Sequence, residues 1–325
     1  MNQSGLSRKS VSLGLSVHRP EMIPFLAESM RRHEAIFLEE PPHPDFASML
    51  QGTLPVDDYL QELDVEYPVF SRELCGLLQE LYTEGRTILQ VEPFLEVLLE
   101  IHEFFADGHG PEGLKTDSIH YPVYLAEKNA TGALLAFYRA SMSGSFEKAL
   151  ESVKHFARQD AARFRLRDSL RAQALAPLVE RYPSAYIEAG VIHFPLWRLL
   201  RKQLARPGRL GVVFLSDSAL QRIGKKGRLY GPGDQLTLLS IFHPEHRDAK
   251  QETILAARAL IYSKIIGKQE MHQDVQQLPH TRDEVECIEI TRQLSLDDCR
   301  ALYPLVHGVS TARSKGLVID YLETS

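Results

Sequence analysis

Val11-Ser12-Leu13-Gly14-Leu15-Ser16-Val17-His18 and Ala35-Ile36-Phe37-Leu38-Glu39-Glu40-Pro41-Pro42 decide the fold. Each is a short apolar run that ends in ionisable side chains, and a proline soon follows. Runs this short, with β-branched residues and a proline stop, read as buried strands. Between them, Glu21 to Arg32 carries Ile23, Leu26 and Met30 at helical spacing. Further on, Leu74, Leu77, Leu78 and Leu81 form a helical stripe within Phe70 to Glu84, and Gly85 supplies the left-handed stop. Thr87 to Val91 is a third β run, closed by Glu92-Pro93. Strands alternating with helices predict βαβ units and a parallel sheet covered on both faces.

Leu125 to Tyr182 is long, rich in Ala, Leu, Glu, Arg and Lys, and helix-forming. Tyr186 to Ile192 returns to strand, ending in Gly190-Val191-Ile192-His193. Phe194 to Leu204 reads as helix, Pro207-Gly208 as a turn and Leu210 to Leu215 as another strand. In the tail, Gly224 to Asp234 reads as a loop, hairpin or flap, and Ile254 to Ile266 as a helix. Ser295 with Asp298 three residues on marks a capped helix start. Strands are expected at Leu236 to Phe242, Val285 to Ile290 and Leu317 to Ile319. The expected fold class is α/β, with a mainly parallel or mixed central sheet flanked by helices. A helical insertion falls at about residues 95–180 of a core spanning 1–205. Residues 206–325 are expected to complete the same domain.

Composition narrows the function. Lys and Arg total 37 against 43 Asp and Glu, a formal charge of −6, which argues against a nucleic-acid partner. No stretch approaches the roughly 18 apolar residues of a membrane helix. The first residues read as a strand rather than a signal peptide. Three scattered cysteines, Cys75, Cys287 and Cys299, suit thiols in a reducing compartment, so a cytoplasmic location is expected.

Strand ends carry the chemistry. His18, Glu39 with Glu40, Glu92 and His193 each follow an apolar β run. The carboxyl ends of strands in an open parallel sheet face the crevice where ligands bind. Two imidazoles with carboxylates suit a divalent metal such as Mn, Co or Zn. Without one, a Glu–His pair serves as a general base. A merely solvated set of strand ends is the plainer alternative. Arg163, Arg167 and Arg171 lie at i, i+4 and i+8 on one helical face, with Asp168 beside them. They suit either a salt-bridged surface or guanidinium capture of an anionic group or oxyanion.

Taken in order, these motifs resemble the superfamily that groups TraB/PrgY proteins, Tiki proteases, erythromycin esterases and the haem-binding ChaN proteins. Gly190-Val191-Ile192-His193 is similar to its second GxxH motif, Ile36-Phe37-Leu38-Glu39-Glu40 to its glutamate-bearing strand, and Arg167-Asp168-Ser169-Leu170-Arg171-Ala172 to its RD helix. The resemblance covers residues from about 11 to 205. Three departures stand out: Gly14 lies one position early for a GxxH ending at His18, Leu166 replaces the usual glutamate before RD, and the doubled Glu39-Glu40 leaves the family glutamate open. The resemblance implies a hydrolase of esterase or peptidase type, metal-assisted or not, acting on a small molecule or peptide. His18 and His193 would be metal ligands or bases, Glu39 or Glu40 would complete the site, and Arg167 or Arg171 would hold an anion. It also admits a non-catalytic protein that binds haem or a peptide on the same scaffold.

Other features fit packing or loops. Gly224 to Asp234 lacks the order of a phosphate loop, and no Gly-x-Ser-x-Gly elbow occurs. His243-Pro244-Glu245-His246 has HxxH spacing, but Pro244 disfavours a helix. His102 and His109 flank a turn and are candidates for a minor metal site. Cys75, Cys287 and Trp197 read as packing residues.

Overall fold

A computed structural model describes residues 10–63, 65–245, 248–271 and 278–324. In chain order the elements are β1 (Ser10–Ser16), α1 (Ile23–Met30), β2 (Ala35–Leu38), α2 (Phe46–Leu50), α3 (Val56–Gln61), α4 (Pro68–Thr83), β3 (Thr87–Gln90) and α5 (Pro93–Ala106). Then come α6 (His120–Met142), α7 (Phe146–Val179), β4 (Ser184–Gly190), α8 (Phe194–Gln203), β5 (Leu210–Phe214) and α9 (Leu215–Arg222). The C-terminal helices are α10 (Pro232–Phe242), α11 (Ala249–Ile265), α12 (Pro279–Gln293), α13 (Leu296–Val306) and α14 (Thr311–Thr324).

The five strands form one all-parallel sheet in the order β3-β2-β4-β1-β5, so the fold is α/β. Registers Ile36↔Ile88, Phe37↔Ile187 and Leu13↔Ile187 put matching residues on each face. One face carries Leu13, Leu15, Phe37, Ile187 and Ala189 against Ala172, Leu175 and Val179 of α7 and Leu196 and Leu200 of α8. Helix α9 packs against β1 and α4 against β3, while α1 packs on both of these helices. The strands are therefore buried on both sides, and this is why they read as continuous apolar runs.

Gly14 has a steric reason to be where it is. The Tyr186 ring crosses β1 at this point, and a Cβ on residue 14 would collide with its hydroxyl and ring carbons. Tyr186 is fully buried, so the ring has nowhere to retreat. Gly14→Ala is expected to cost about 1–3 kcal/mol through overpacking, read as a lower denaturation midpoint; an unchanged midpoint would show that the ring moves freely.

Two compact units divide the chain, and the boundary falls inside α7 between Leu166 and Arg167. Of the described residues, the first holds 10–63, 65–109 and 167–226, including the whole sheet. The second holds 110–166, 227–245, 248–271 and 278–324, and its regular elements are all helices. This corrects the expectation that residues 206–325 complete the sheet domain. Only β5 and α9 do so, and the remainder joins α6 and the first part of α7 around a core of Leu150, Val153, Leu260, Ile261, Leu302 and Tyr303.

The three expected tail strands are helices. Leu236–Phe242 lies in α10, which Pro232 opens while the Asp234 carboxylate accepts from the Gly231 N–H at 2.9 Å. Val285–Ile290 lies in α12, where Cys287, Ile288, Ile290 and Thr291 form a buried face at helical spacing. Leu317–Ile319 lies in α14, with Ser314 and Val318 buried four residues apart. A short apolar run fits either element, and packing against other helices decided these three. The capped start at Ser295 is present, with the Ser295 N–H donating to Asp298 at 2.8 Å. Among the described residues no helix is long and apolar enough to cross a membrane.

Candidate functional site

The sheet order creates a switch point. The chain leaves β2 toward β3 on one side and leaves β4 toward β5 on the other, although β2 and β4 are neighbours. Their carboxyl ends therefore open a crevice, the usual ligand position in such sheets. Glu39 follows β2 here, Glu188 lies in β4 two residues before its end, and His193 closes the turn after it.

Glu39 is the hub. Its Oε1 accepts from Arg167 Nη2 at 2.8 Å and faces His193 Nε2 at 2.7 Å. The other oxygen accepts from the Gly190 N–H at 2.6 Å. The opposite ring nitrogen of His193, Nδ1, is hydrogen-bonded to Asp168. Asp168–His193–Glu39 thus forms a chain of three buried groups. Burial disfavours the imidazolium, but the Glu39 and Asp168 carboxylates outweigh it and raise His193 to about 9. Burial likewise pushes the Glu39 carboxyl up, and His193, Arg167 and Arg171 overcome that, holding it well below the usual range.

Arg171 is 0% exposed, and it donates to the Val91 carbonyl at 3.0 Å and the Glu188 carbonyl at 2.7 Å. It thereby ties the ends of β3 and β4 together, and it lies 3.6 Å from both Glu39 and Glu92. Arg167 reaches Glu92 at 3.2 Å as well as Glu39. The expectation that Arg171 holds a substrate anion is corrected: it is sealed among main-chain carbonyls and carboxylates. Arg167 is occupied by two carboxylates. Arg163, first in the stripe, belongs to the helical unit and pairs with Asp160 and Glu127.

Beside this cluster lies a cleft of about 150 Å³. His18, Glu39, Glu40 and Glu188 line it from the strand ends, and Glu66, Tyr67, Phe70 and Leu74 from the segment that enters and begins α4. The His18 ring stacks on Phe70 with centroids 5.1 Å apart, and its Nε2 is 3.4 Å from Glu188 Oε1. The His18 side chain is 39% exposed, whereas that of His193 is 2% exposed. Burial lowers the His18 pKa, but the Glu188 hydrogen bond and the charges of Glu188, Glu39 and Glu40 raise it overall. Glu40 accepts from Gln90 Nε2 at 2.9 Å, a neutral partner. Burial and the repulsion of Glu188 and Glu39 push its carboxyl up, against the Gln90 bond and the His18 charge. Adjacent in sequence, Glu39 and Glu40 are thus driven in opposite directions.

The paired-histidine metal site expected from the sequence does not match these donors. Both His193 nitrogens are engaged by carboxylates, Nε2 by Glu39 and Nδ1 by Asp168, so neither is turned toward a cation shared with His18. Among the described residues, the group of three such donors with ligand atoms within 4.8 Å is His43, Asp45 and Glu62, to which neither His18 nor His193 belongs. Of the other candidates, His109 stacks on Phe104, while His246 lies outside the described residues. Cys75 and Cys287 are buried as expected, though Cys287 sits on a helix. Trp197 packs beside Phe194 against the sheet core.

Sequence reasoning missed Glu188 and Gln90. A glutamate inside an otherwise apolar buried strand, Tyr186-Ile187-Glu188-Ala189, was the available signal, since such residues are almost never buried without a partner. Asp168, legible in the sequence as a neighbour of the arginines and a member of the RD motif, bonds His193, a role neither reading assigns to it.

The raised His193 value gives a pH prediction. Its folded pKa of about 9 exceeds the ordinary 6.5, so its stabilisation is fully present below about 6.5 and is lost as pH rises through about 9. Denaturation midpoints of the native protein are expected to fall across that window, and those of His193→Gln to fall less. Parallel curves would assign the alkaline loss elsewhere.

Fold and site together define a parallel α/β protein with a buried carboxylate–imidazole–arginine cluster at its switch point. The chain is 30% identical to an uncharacterized protein of Archaeoglobus fulgidus over 286 residues, 88% of this chain and 94% of that protein, and it belongs to that protein's family. No protein-family model matches the chain, and no solved structure matches it.

Proposed function

We propose that this protein is a hydrolase of esterase or peptidase type acting on a small molecule or peptide in the switch-point cleft. The observation that carries this reading is the opposed tuning of Glu39 and Glu40, with His18 facing the same cleft. Environments that drive two carboxyl groups apart separate a permanent anion from a proton-transfer group. Glu40, raised toward neutrality, and the half-exposed His18 are the acid–base pair that meets water and substrate. Glu39 is the fixed anion that keeps His193 charged, and Asp168 orients that imidazole from the other side. His193 therefore acts through Glu39 as a positioning residue. Arg167 and Arg171 balance the buried carboxylates and hold the strand ends in place.

A metal, if one binds in this cleft, would supply a bound water of lowered pKa. The nearest donors to it are His18, Glu188 and Glu40 rather than His193. Haem is disfavoured by the small size of the cleft, about 150 Å³, and by the carboxylates that line its strand-end wall.

The test is turnover of 4-nitrophenyl esters and peptide 4-nitroanilides by purified protein, with and without a chelator. His18→Gln is expected to lower kcat/KM by about 10²- to 10⁴-fold, and the chelator to leave the rate unchanged. Equal rates for native and variant proteins would refute the reading, as would absence of turnover across both substrate classes. Chelator-abolished turnover restored by Mn, Co or Zn would show that a metal drives the reaction.

A further inference from the structure

We infer that the cleft selects substrates carrying a cationic group, an ammonium or guanidinium, near the bond that is cleaved. The inference rests on the hydrolase reading and names the substrate class of that same site. The charge inventory of the cleft is unequal. His18 is matched by Glu188, and Glu39 by His193, Arg167 and Arg171. That leaves Glu40, whose hydrogen-bond donor is the neutral carboxamide of Gln90, and Glu66 at the exposed rim. Among the described residues no Lys or Arg bonds either of them. Four carboxyl-bearing side chains, Glu39, Glu40, Glu66 and Glu188, thus line the cleft against one basic side chain, His18, a balance that attracts a positive charge from solvent and repels an anion.

Glu40 is also held ready. Gln90 fixes it from the end of β3, and Gln90 is itself held by the His43 N–H, which donates to its Oε1 at 2.9 Å. A carboxylate fixed in this way loses little freedom when a ligand arrives. The opposite wall is apolar and aromatic: Tyr67, Phe70 and Leu74. The Tyr67 ring is taken by the chain's own Arg19 guanidinium, 4.7 Å from its centroid, so the apolar surface left to a ligand is that of Phe70 and Leu74. Carboxylates facing aromatic and aliphatic carbon suit an organic cation on an alkyl stem. They suit a bare metal ion less well, because the cleft carboxylates and His18 do not converge within 4.8 Å as a set of three. Cationic recognition also reverses the expectation that the arginines capture an anion, since both are already occupied inside.

Probes of similar side-chain length and different charge separate this inference from the hydrolase reading. Binding and turnover are measured with Nα-acetyl-lysine methyl ester, Nα-acetyl-norleucine methyl ester and Nα-acetyl-glutamate α-methyl ester. The lysine ester is expected to show Kd and KM lower by about tenfold than the norleucine ester, the order of one charged hydrogen bond, and the glutamate ester to bind worst. Glu66→Gln is expected to shrink that preference several-fold, read as a rise in the KM of the lysine ester toward that of the norleucine ester. Turnover of all three esters with equal KM would overturn the inference and leave the hydrolase standing. Charge-selective binding without turnover of any ester would sustain the inference and remove the hydrolase. Stoichiometric binding of Zn or Mn that displaces the lysine ester would make the cleft a metal site and overturn the inference, as would failure of all three esters to bind.

Discussion

Arg171→Met is expected to lower the unfolding free energy of the sheet unit by about 3–5 kcal/mol, the usual cost of removing one partner from a buried ionic cluster. The guanidinium is fully buried and serves four groups: the Val91 and Glu188 carbonyls and the Glu39 and Glu92 carboxylates. Methionine fills much of the volume but donates nothing, so two strand-end carbonyls lose their donor and two buried anions lose a counter-charge. Burial pushes the Glu92 carboxyl up even with both arginines opposing it, so this carboxyl is expected to take up a proton in the variant. Arg171→Lys keeps the charge but lacks the planar fork that spans both carbonyls, and an intermediate loss is expected. Trp197 is the chain's one tryptophan and packs in the sheet unit, so its fluorescence during urea denaturation reports on this unit. A methionine variant within 1 kcal/mol of native, a margin typical of surface changes, would mean that the cluster contributes little to the fold.

The second large effect separates two neighbours. Glu40→Gln is expected to reduce kcat/KM by about 10²- to 10⁴-fold while leaving stability equal or slightly higher. The folded protein raises the Glu40 pKa, so its ionised form is disfavoured there, and at neutral pH the uncharged amide removes a cost rather than a bond. Glu39→Gln is expected to lose activity to a similar extent and, in addition, stability. Its carboxylate faces His193 and accepts from Arg167 and the Gly190 N–H, and a carboxamide cannot accept at both ends. Removing that anion also returns His193 toward its ordinary value, which NMR titration of the ring reads directly. If Glu40→Gln keeps its activity and Glu39→Gln keeps its stability, the division of labour between the two glutamates is wrong.

How far the sequence carried varied along the chain, for physical reasons. The strands β1 to β5 were legible because a sheet buried on both faces demands short apolar runs, and the runs of β1 to β4 each ended in a group that has to meet water or a partner. The tail misled because Leu236–Phe242 is mostly apolar and Val285–Ile290 mixes apolar residues with Glu286 and Glu289, patterns that serve a buried helix face as well as a strand. Nothing local states that a helical bundle surrounds them. Within the site, the participants Glu39, Glu92, Arg167, Arg171 and His193 were legible as types and positions, but their roles were not. Arg171 looked free to meet a substrate because a helical stripe does not reveal which member is sealed against strand ends.

By itself the sequence determined the α/β class, the strand ends as the place for chemistry, and the ionisable groups gathered there. These follow from local pattern, because side-chain periodicity and proline stops are properties of neighbouring residues. Only the tertiary structure decided that β4 inserts between β2 and β1, which places Glu39 beside Gly190 and His193, 151 and 154 positions along the chain. That insertion made Glu39 the buried anion and left Glu40 in the cleft, since proximity between distant segments, rather than residue type, sets the field each carboxylate feels.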